Sequence, residues 1–147
     1  MGKDNLKDNF KILIVENNAV FRKGLEQLLN HEKDITVHGF AEDASNALAL
    51  ITESKPDLVI ADITLDGRNG IELIKDISRE HPPLPILVLS MHEESLYAKL
   101  AINAGARGYI TKQEAPEQIV QVVRKLLKGE TYTSKGLTRQ LGEARNY

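Results

Sequence analysis

Residues 57–70, DLVIADITLDGRNG, hold the stretch on which the fold turns. Leu58, Val59, Ile60 and Ala61 form a short unbroken apolar run, the mark of a strand buried on both faces of a sheet. Asp62 follows where such a strand emerges at its carboxyl end, and Asp66, Gly67 and Gly70 bring loop chemistry. Asn69 is placed to cap a helix that resumes with Ile71, Ile74 and Ile77 on one face. A lone carboxylate at the exit of a buried parallel strand stands where open α/β sheets gather ligands and chemistry. Taken alone, it would equally serve to turn or cap the chain. The other strand exits decide between the two.

Upstream of this stretch, residues 11–15 (KILIV) form a first apolar strand with Glu16, Asn17 and Asn18 at its exit. Phe21, Leu25, Leu28 and Leu29 then recur with helical spacing. Residues 35–40 (ITVHGF) read as a weaker second strand. Asp43 caps a helix carrying Ala44, Ala47, Leu48 and Ile51, which Lys55 and Pro56 close. Downstream, HPPLP is a stiff connector into the strand at residues 86–89, which exits at Ser90, Met91 and His92. A fourth helix, residues 93–104, has Tyr97, Leu100, Ala101 and Ala104 on one face and Gly105 at its stop. Residues 107–110 are a fifth strand exiting at Thr111 and Lys112. Residues 114–128 are the last helix, with Ile119, Val122, Val123, Leu126 and Leu127 spaced for packing and Gly129 at its end.

Strand and helix thus alternate five times, which calls for a parallel sheet covered by helices on both faces. The expected fold class is α/β, a doubly wound parallel five-stranded sheet. The first stretch, residues 1–10, is a polar extension, and residues 11–129 form the domain. Residues 130–147 are a polar tail with scattered apolar residues (Tyr132, Leu137, Leu141), a linker with at most one short helix.

The whole chain has 147 residues, enough for one sizeable core. Its 41% hydrophobic and 27% charged residues are ordinary for a globular domain. The absence of cysteine excludes disulfides, thiol nucleophiles and cysteine metal sites. The polar start has no signal-peptide core, and no apolar run approaches the ~20 residues of a membrane span, so a cytoplasmic protein without membrane attachment is expected. Net charge is −2 and no dense basic cluster appears, which makes this chain by itself a poor candidate for gripping nucleic acid.

In a parallel sheet all carboxyl ends lie along one edge, so Glu16, Asn17, Asp62, Ser90 and Lys112 should share it. Each has a plainer reading: Glu16 as a first-turn helix acid, Ser90 as a loop hydroxyl, Lys112 as a solvated charge. Together they fit phosphoryl transfer to a carboxylate. Asp62 would be the nucleophile, nearby oxygens would hold Mg²⁺, and Ser90 and Lys112 would donate to phosphoryl oxygens. There is no GxxxxGK[ST] and no GxGxxG, which weighs against direct ATP use and a dinucleotide site.

At this point a family is recognisable. KILIVENNAVFRKGLEQLL, DLVIADITLDGRNGIELIKDI and ILVLSMHEESLYAKLAINAGARGYITK resemble the three main segments of the receiver domain of two-component response regulators, especially the NarL/FixJ (LuxR-type) subclass. The likeness covers about residues 11–128. It implies a flavodoxin-like fold, a sensor histidine kinase as phosphodonor, Mg²⁺ and frequent homodimerisation. It implies Asp62 as phosphoacceptor, Glu16 and Asn17 as the acidic pair, and Thr64 as the residue whose backbone carbonyl ligates the metal. Ser90 and Tyr109 match the switch hydroxyl and aromatic, and Lys112 the phosphate-contacting lysine. The surface switched would be that of helix 4, strand 5 and helix 5.

Three departures stand out. Asn17 replaces the usual aspartate and removes a charge from a metal-ligand position. Asp66 replaces a proline common in that loop. Gln113 after Lys112 rules out the cis peptide to proline seen in many receivers. The stretch VVRKLLKGETYTSKGLTRQL resembles the join to a helix-turn-helix domain, so DNA would be engaged only through a C-terminal domain not in this chain. The sequence fits an excised or a naturally short receiver equally. The expected function is a phosphorylatable switch that controls an output such as transcription, and no enzyme on a separate substrate. One rival is a pseudo-receiver that works without phosphate, which Asn17 favours and Asp62, Ser90 and Lys112 oppose. The other, a small flavodoxin-like enzyme or cofactor carrier, would need a glycine- or serine/threonine-rich loop after strand 1 that VENNAVFRKG does not supply.

Overall fold

A computed structural model describes residues 9–63, 70–91 and 95–134. Among these residues the elements are β1 (Phe10–Val15), α1 (Ala19–Asn30), β2 (Ile35–Ala41), α2 (Ala44–Ser54), β3 (Leu58–Asp62), α3 (Gly70–Glu80), β4 (Ile86–Ser90), α4 (Ser95–Ala104), β5 (Gly108–Thr111), α5 (Ala115–Leu127) and β6 (Tyr132–Thr133). All the strands pair in parallel in one sheet of order β2-β1-β3-β4-β5-β6. The doubly wound α/β architecture is the one expected, extended by a sixth strand.

The pleat sends alternate side chains of each strand to opposite faces. On one face Ile12, Ile14, Leu58, Ile60, Leu87, Leu89 and Ile110 meet Leu25 and Leu29 of α1 and Ile119, Val122, Val123 and Leu126 of α5. On the other, Leu13, Val15, Val59, Ala61, Val88 and Tyr109 meet the apolar stripes of α2, α3 and α4. A fully buried Leu or Ile such as Ile60 is of the kind whose truncation to Ala costs about 2–5 kcal/mol. The sheet that positions the strand exits is therefore rigid.

Local chemistry sets the helix ends. Asn18 and Asp43 accept from the backbone N–H groups of Phe21 (3.0 Å) and Asn46 (2.9 Å), which caps α1 and α2. Gly105 ends α4 at φ +122°, where a Cβ would strike the Ser78 side chain. The cap expected at Asn69 lies outside the described residues.

Two helix faces differ from expectation. In α4, Tyr97 and Leu100 are 37% and 42% exposed, and the buried stripe is Ala98, Ala101 and Ala104. Tyr109, fully buried on the adjoining sheet face, explains this: a helix over so large a ring packs through methyl groups. In α1, Leu28 is 39% exposed and Arg22 takes the buried place beside Leu25 and Leu29.

The tail stretch read as a linker supplies β6. Tyr132 and Ser134 donate their backbone N–H groups to the carbonyls of Arg107 and Tyr109, both at 3.1 Å. The Tyr132 hydroxyl (3.1 Å) and Ser134 Oγ (2.8 Å) both donate to Glu114 Oε1, and Ser134 Oγ accepts from the Thr111 N–H at 3.2 Å. Burial, reinforced by the Glu114 carboxylate, pushes the Tyr132 phenol up to about 12. A two-residue strand is too short for any hydrophobic period to reveal. No helix among the described residues is long and apolar enough to cross a membrane.

Candidate functional site

The sheet order reverses direction at β1, with β2 on one side and β3, β4, β5 and β6 on the other. The helices that follow β1 and β3, α1 and α3, pack on opposite faces, and such a switch point is where open α/β sheets place a crevice at the carboxyl ends of the strands. Val15 pairs with Ala61, so the next residues, Glu16 and Asp62, stand side by side over that crevice. Glu16 is fully buried and Asp62 is 3% exposed.

Lys112 lies just beyond β5, where its N–H donates to the Ser90 carbonyl at 2.8 Å. That bond ties it to the end of β4, and its side chain reaches back over β4 to the acids. Its Nζ is 2.9 Å from Asp62 Oδ2, 2.9 Å from Glu16 Oε1 and 3.1 Å from Glu16 Oε2. One ammonium thus bridges two carboxylates. The Phe21 ring lies beside it, with Nζ 5.0 Å from the ring centroid.

Burial and attraction oppose each other here. Loss of solvent raises the Glu16 pKa, against the lowering effect of Lys112 and of the Asn18 N–H, which donates to Oε2 at 3.0 Å. For Lys112, burial alone would depress the pKa, but hydrogen bonds to Asp62 and Glu16 outweigh it and raise it. Glu16 Oε1 is buried and close to the ammonium, yet no donor is aligned on it. Two buried carboxylates, one with such an oxygen, are hard oxygen donors of the kind Mg²⁺ takes. Among the described residues no three His, Cys, Asp or Glu side chains cluster as a metal site, and Asn17 supplies an amide rather than a third acid.

Of the expected set, the structure brings Glu16, Asp62 and Lys112 into contact. Ser90 is fully buried at the end of β4, one step past Leu89, the ladder partner of Asp62. Asn17 is exposed on the loop after β1. Tyr109 is paired with Val88 and packs inside rather than at the site. Thr64 lies outside the described residues.

Sequence reasoning missed three supports. Asn18 secures Glu16 from the next turn. The Gly70 N–H donates to the Ile63 carbonyl at 3.2 Å, drawing α3 against the end of β3, and a Cβ at Gly70 would run into the Ile63 backbone. Arg22 is the third, buried in line with Leu25 and Leu29.

A family model for the response regulator receiver domain matches residues 12–124. Oxygen regulatory protein NreC of Staphylococcus haemolyticus is 36% identical over 132 residues, which cover 89% of this chain and 61% of that protein. Transcriptional regulatory protein DegU of Brevibacillus brevis is 28% identical over 141 residues, covering 96% of this chain and 60% of that one. The chain therefore spans about three fifths of the length of these relatives. Among solved structures, a LuxR-family two-component response regulator from Aurantimonas sp. superposes with a TM-score of 0.89 at 32% identity, covering 95% of this chain and 99% of that one. The isolated receiver domain of RcsB from Salmonella enterica serovar Typhimurium, solved with the phosphomimetic BeF3-, gives 0.82 at 25% identity, covering 89% and 97%.

Proposed function

Because the chain belongs to the response regulator receiver family, in its NarL/FixJ branch, we propose that it is a phosphorylation switch with Asp62 as the acceptor. The observation that carries this reading is Lys112 Nζ at 2.9 Å from both Asp62 and Glu16 at the crevice where the strand order reverses. An Asp62 oxygen attacks the phosphorus of a phosphohistidine on a sensor histidine kinase. The new O–P bond forms as the P–N bond breaks, and the departing imidazole nitrogen takes up a proton. Lys112 turns from the carboxylates to the phosphoryl oxygens, and the Ser90 hydroxyl donates to them. Glu16, Asn17 and Asp62, with the Thr64 carbonyl that the family resemblance implies, would hold Mg²⁺, which would offset the charge gathering on the transferred group. Water later reverses the modification, so the chemistry is confined to the chain's own acceptor.

The output in this reading is the surface of α4, β5 and α5. Tyr109 lies inward beneath the alanine stripe of α4, one of the two positions such a switch requires. Its outward position would place the ring at that surface. A second copy of the chain, or a DNA-binding domain C-terminal to it in a longer protein, would read the change in the cytoplasm.

Intact mass after incubation with acetyl phosphate and Mg²⁺ tests the acceptor. One added phosphoryl group, lost in Asp62→Asn, is expected. Labelling that survives the substitution would remove Asp62 from the role, and no labelling at all would favour the phosphate-independent module that Asn17 suggests. Amide hydrogen exchange over residues 95–127, with and without beryllofluoride, tests the output surface. Equal protection in both states would exclude it.

A further inference from the structure

Arg22 is the one charged residue among the buried positions of α1, 5% exposed and in line with Leu25 and Leu29. A leucine would continue that stripe at no electrostatic cost, whereas a guanidinium taken from water needs partners. Its partners lie at two strand exits. Nη1 donates to the Glu16 carbonyl at 2.9 Å, in a bond that is itself buried. The guanidinium carbon sits 3.8 Å from the centroid of the Phe40 ring, near the end of β2. Glu26 and Glu42 stand 3.6 Å and 3.9 Å away, 27% and 60% exposed, and balance the charge from its outer side.

The consequence falls on Glu16. Its N–H donates to the Ala41 carbonyl at 2.9 Å and its own carbonyl accepts from Arg22. The backbone of Glu16 is held on both sides, and the peptide unit joining it to Asn17 cannot rotate without breaking the Arg22 bond. The direction of that unit sets where the Glu16 carboxylate and the Asn17 residue stand relative to Asp62. We propose that Arg22 is a positioning residue that sets the Mg²⁺ affinity of the site through the Glu16 carbonyl. This rests on the reading above that Glu16, Asn17 and Asp62 hold the cation. Arg22 touches neither the phosphoryl group nor the metal, and it acts as the outer partners of metal ligands do.

The test is titration of the whole chain with MgCl₂ at fixed ionic strength, without phosphodonor, followed by calorimetry and by the amide resonances of Glu16, Asn17 and Asn18. Thermal unfolding in EDTA is measured alongside. Arg22→Met should weaken Mg²⁺ binding about tenfold, and Arg22→Lys, which keeps a charge and a donor, should recover to within about threefold of the parent. An Arg22→Met chain that melts earlier yet titrates like the parent would overturn the proposal and leave Arg22 a core residue only. If that variant does not fold, Arg22→Lys decides, because its ammonium keeps a donor on a stem nearly as long. Binding within about threefold of the parent supports action through the carbonyl, and a tenfold loss overturns it. A parent chain that binds no Mg²⁺ overturns both this proposal and the metal site beneath it, an outcome distinct from equal binding by parent and variant.

Discussion

Lys112 and Arg124 each face two carboxylates, at opposite edges of the same sheet. At the carboxyl edge Lys112 bridges Glu16 and Asp62. At the amino edge Arg124 of α5 grips Asp34 with two bonds of 2.8 Å and Glu32 with one of 2.9 Å, tying α5 to the turn before β2. Arg124 is half-buried, its fork matches the carboxylate it faces, and the pairing holds Asp34 below its usual range and Arg124 above its own. Around Lys112, burial works against the charges, Glu16 is pushed up, and one buried oxygen has no aligned donor. The arginine cluster is saturated by geometry and has nothing left to give. The lysine cluster is held by a point charge on a flexible stem, which can leave one oxygen for another. The first locks the fold and the second keeps bonding capacity in reserve.

The largest effect should separate the two at once. Lys112→Met is expected to slow phosphorylation of Asp62 by acetyl phosphate about 10²–10³-fold, the usual loss when one donor to a developing charge is removed. Arg124→Met should leave that rate within about twofold of the parent. If both substitutions slow the reaction alike, the division between lock and reserve is wrong. Next in size is Asn17→Asp, which adds a charge to the loop after β1 and, on the proposed metal site, should tighten Mg²⁺ binding about tenfold at fixed ionic strength. An unchanged titration would mean that Asn17 does not face the cation.

The smallest effects concern stability. Arg124→Met should cost about 1 kcal/mol, a modest figure because Asp34 is 40% exposed and screened by water. Urea midpoints sharpen the point by their pH dependence. The Asp34 pKa is lowered in the fold, so its contribution is complete above the ordinary aspartate range and is lost as pH falls through the depressed value. The difference between parent and Arg124→Met should therefore be constant at neutral pH and shrink below about pH 4. A difference that persists in strong acid would show that Arg124 acts through packing rather than through its charge.

What the sequence made legible follows from how each feature is encoded. Asp62 and Ser90 end apolar runs of the right length for buried strands, Glu16 follows one, and parallel pairing does the rest. The caps at Asn18, Asp43 and Gly105 are chosen by backbone needs that act within a few residues, and Asp43 and Gly105 were readable for that reason. The inner face of α4 was legible only in Ala101 and Ala104. Tyr97 and Leu100 look like packing residues too, and only the position of Tyr109 beneath the helix turns the alanines inward and leaves those two outside. Arg22 was passed over because a charge within a stripe reads as its polar edge until Phe40 and the Glu16 carbonyl arrive from distant parts of the chain.

The sixth strand has a practical corollary for anyone shortening this protein. A chain cut at Gly129, after the last helix, would leave β5 as an open edge with the Arg107 and Tyr109 carbonyls facing water. Glu114 would lose both hydroxyls that now donate to it. An unprotected edge is a template for other chains, so such a fragment should stick to itself, and more so as its concentration rises. A fragment that runs on through Ser134 carries its own cover. The smallest piece that behaves as a monomer in a concentration series is then defined by the hydrogen bonds of Tyr132 and Ser134 beyond the last helix, not by the helix itself.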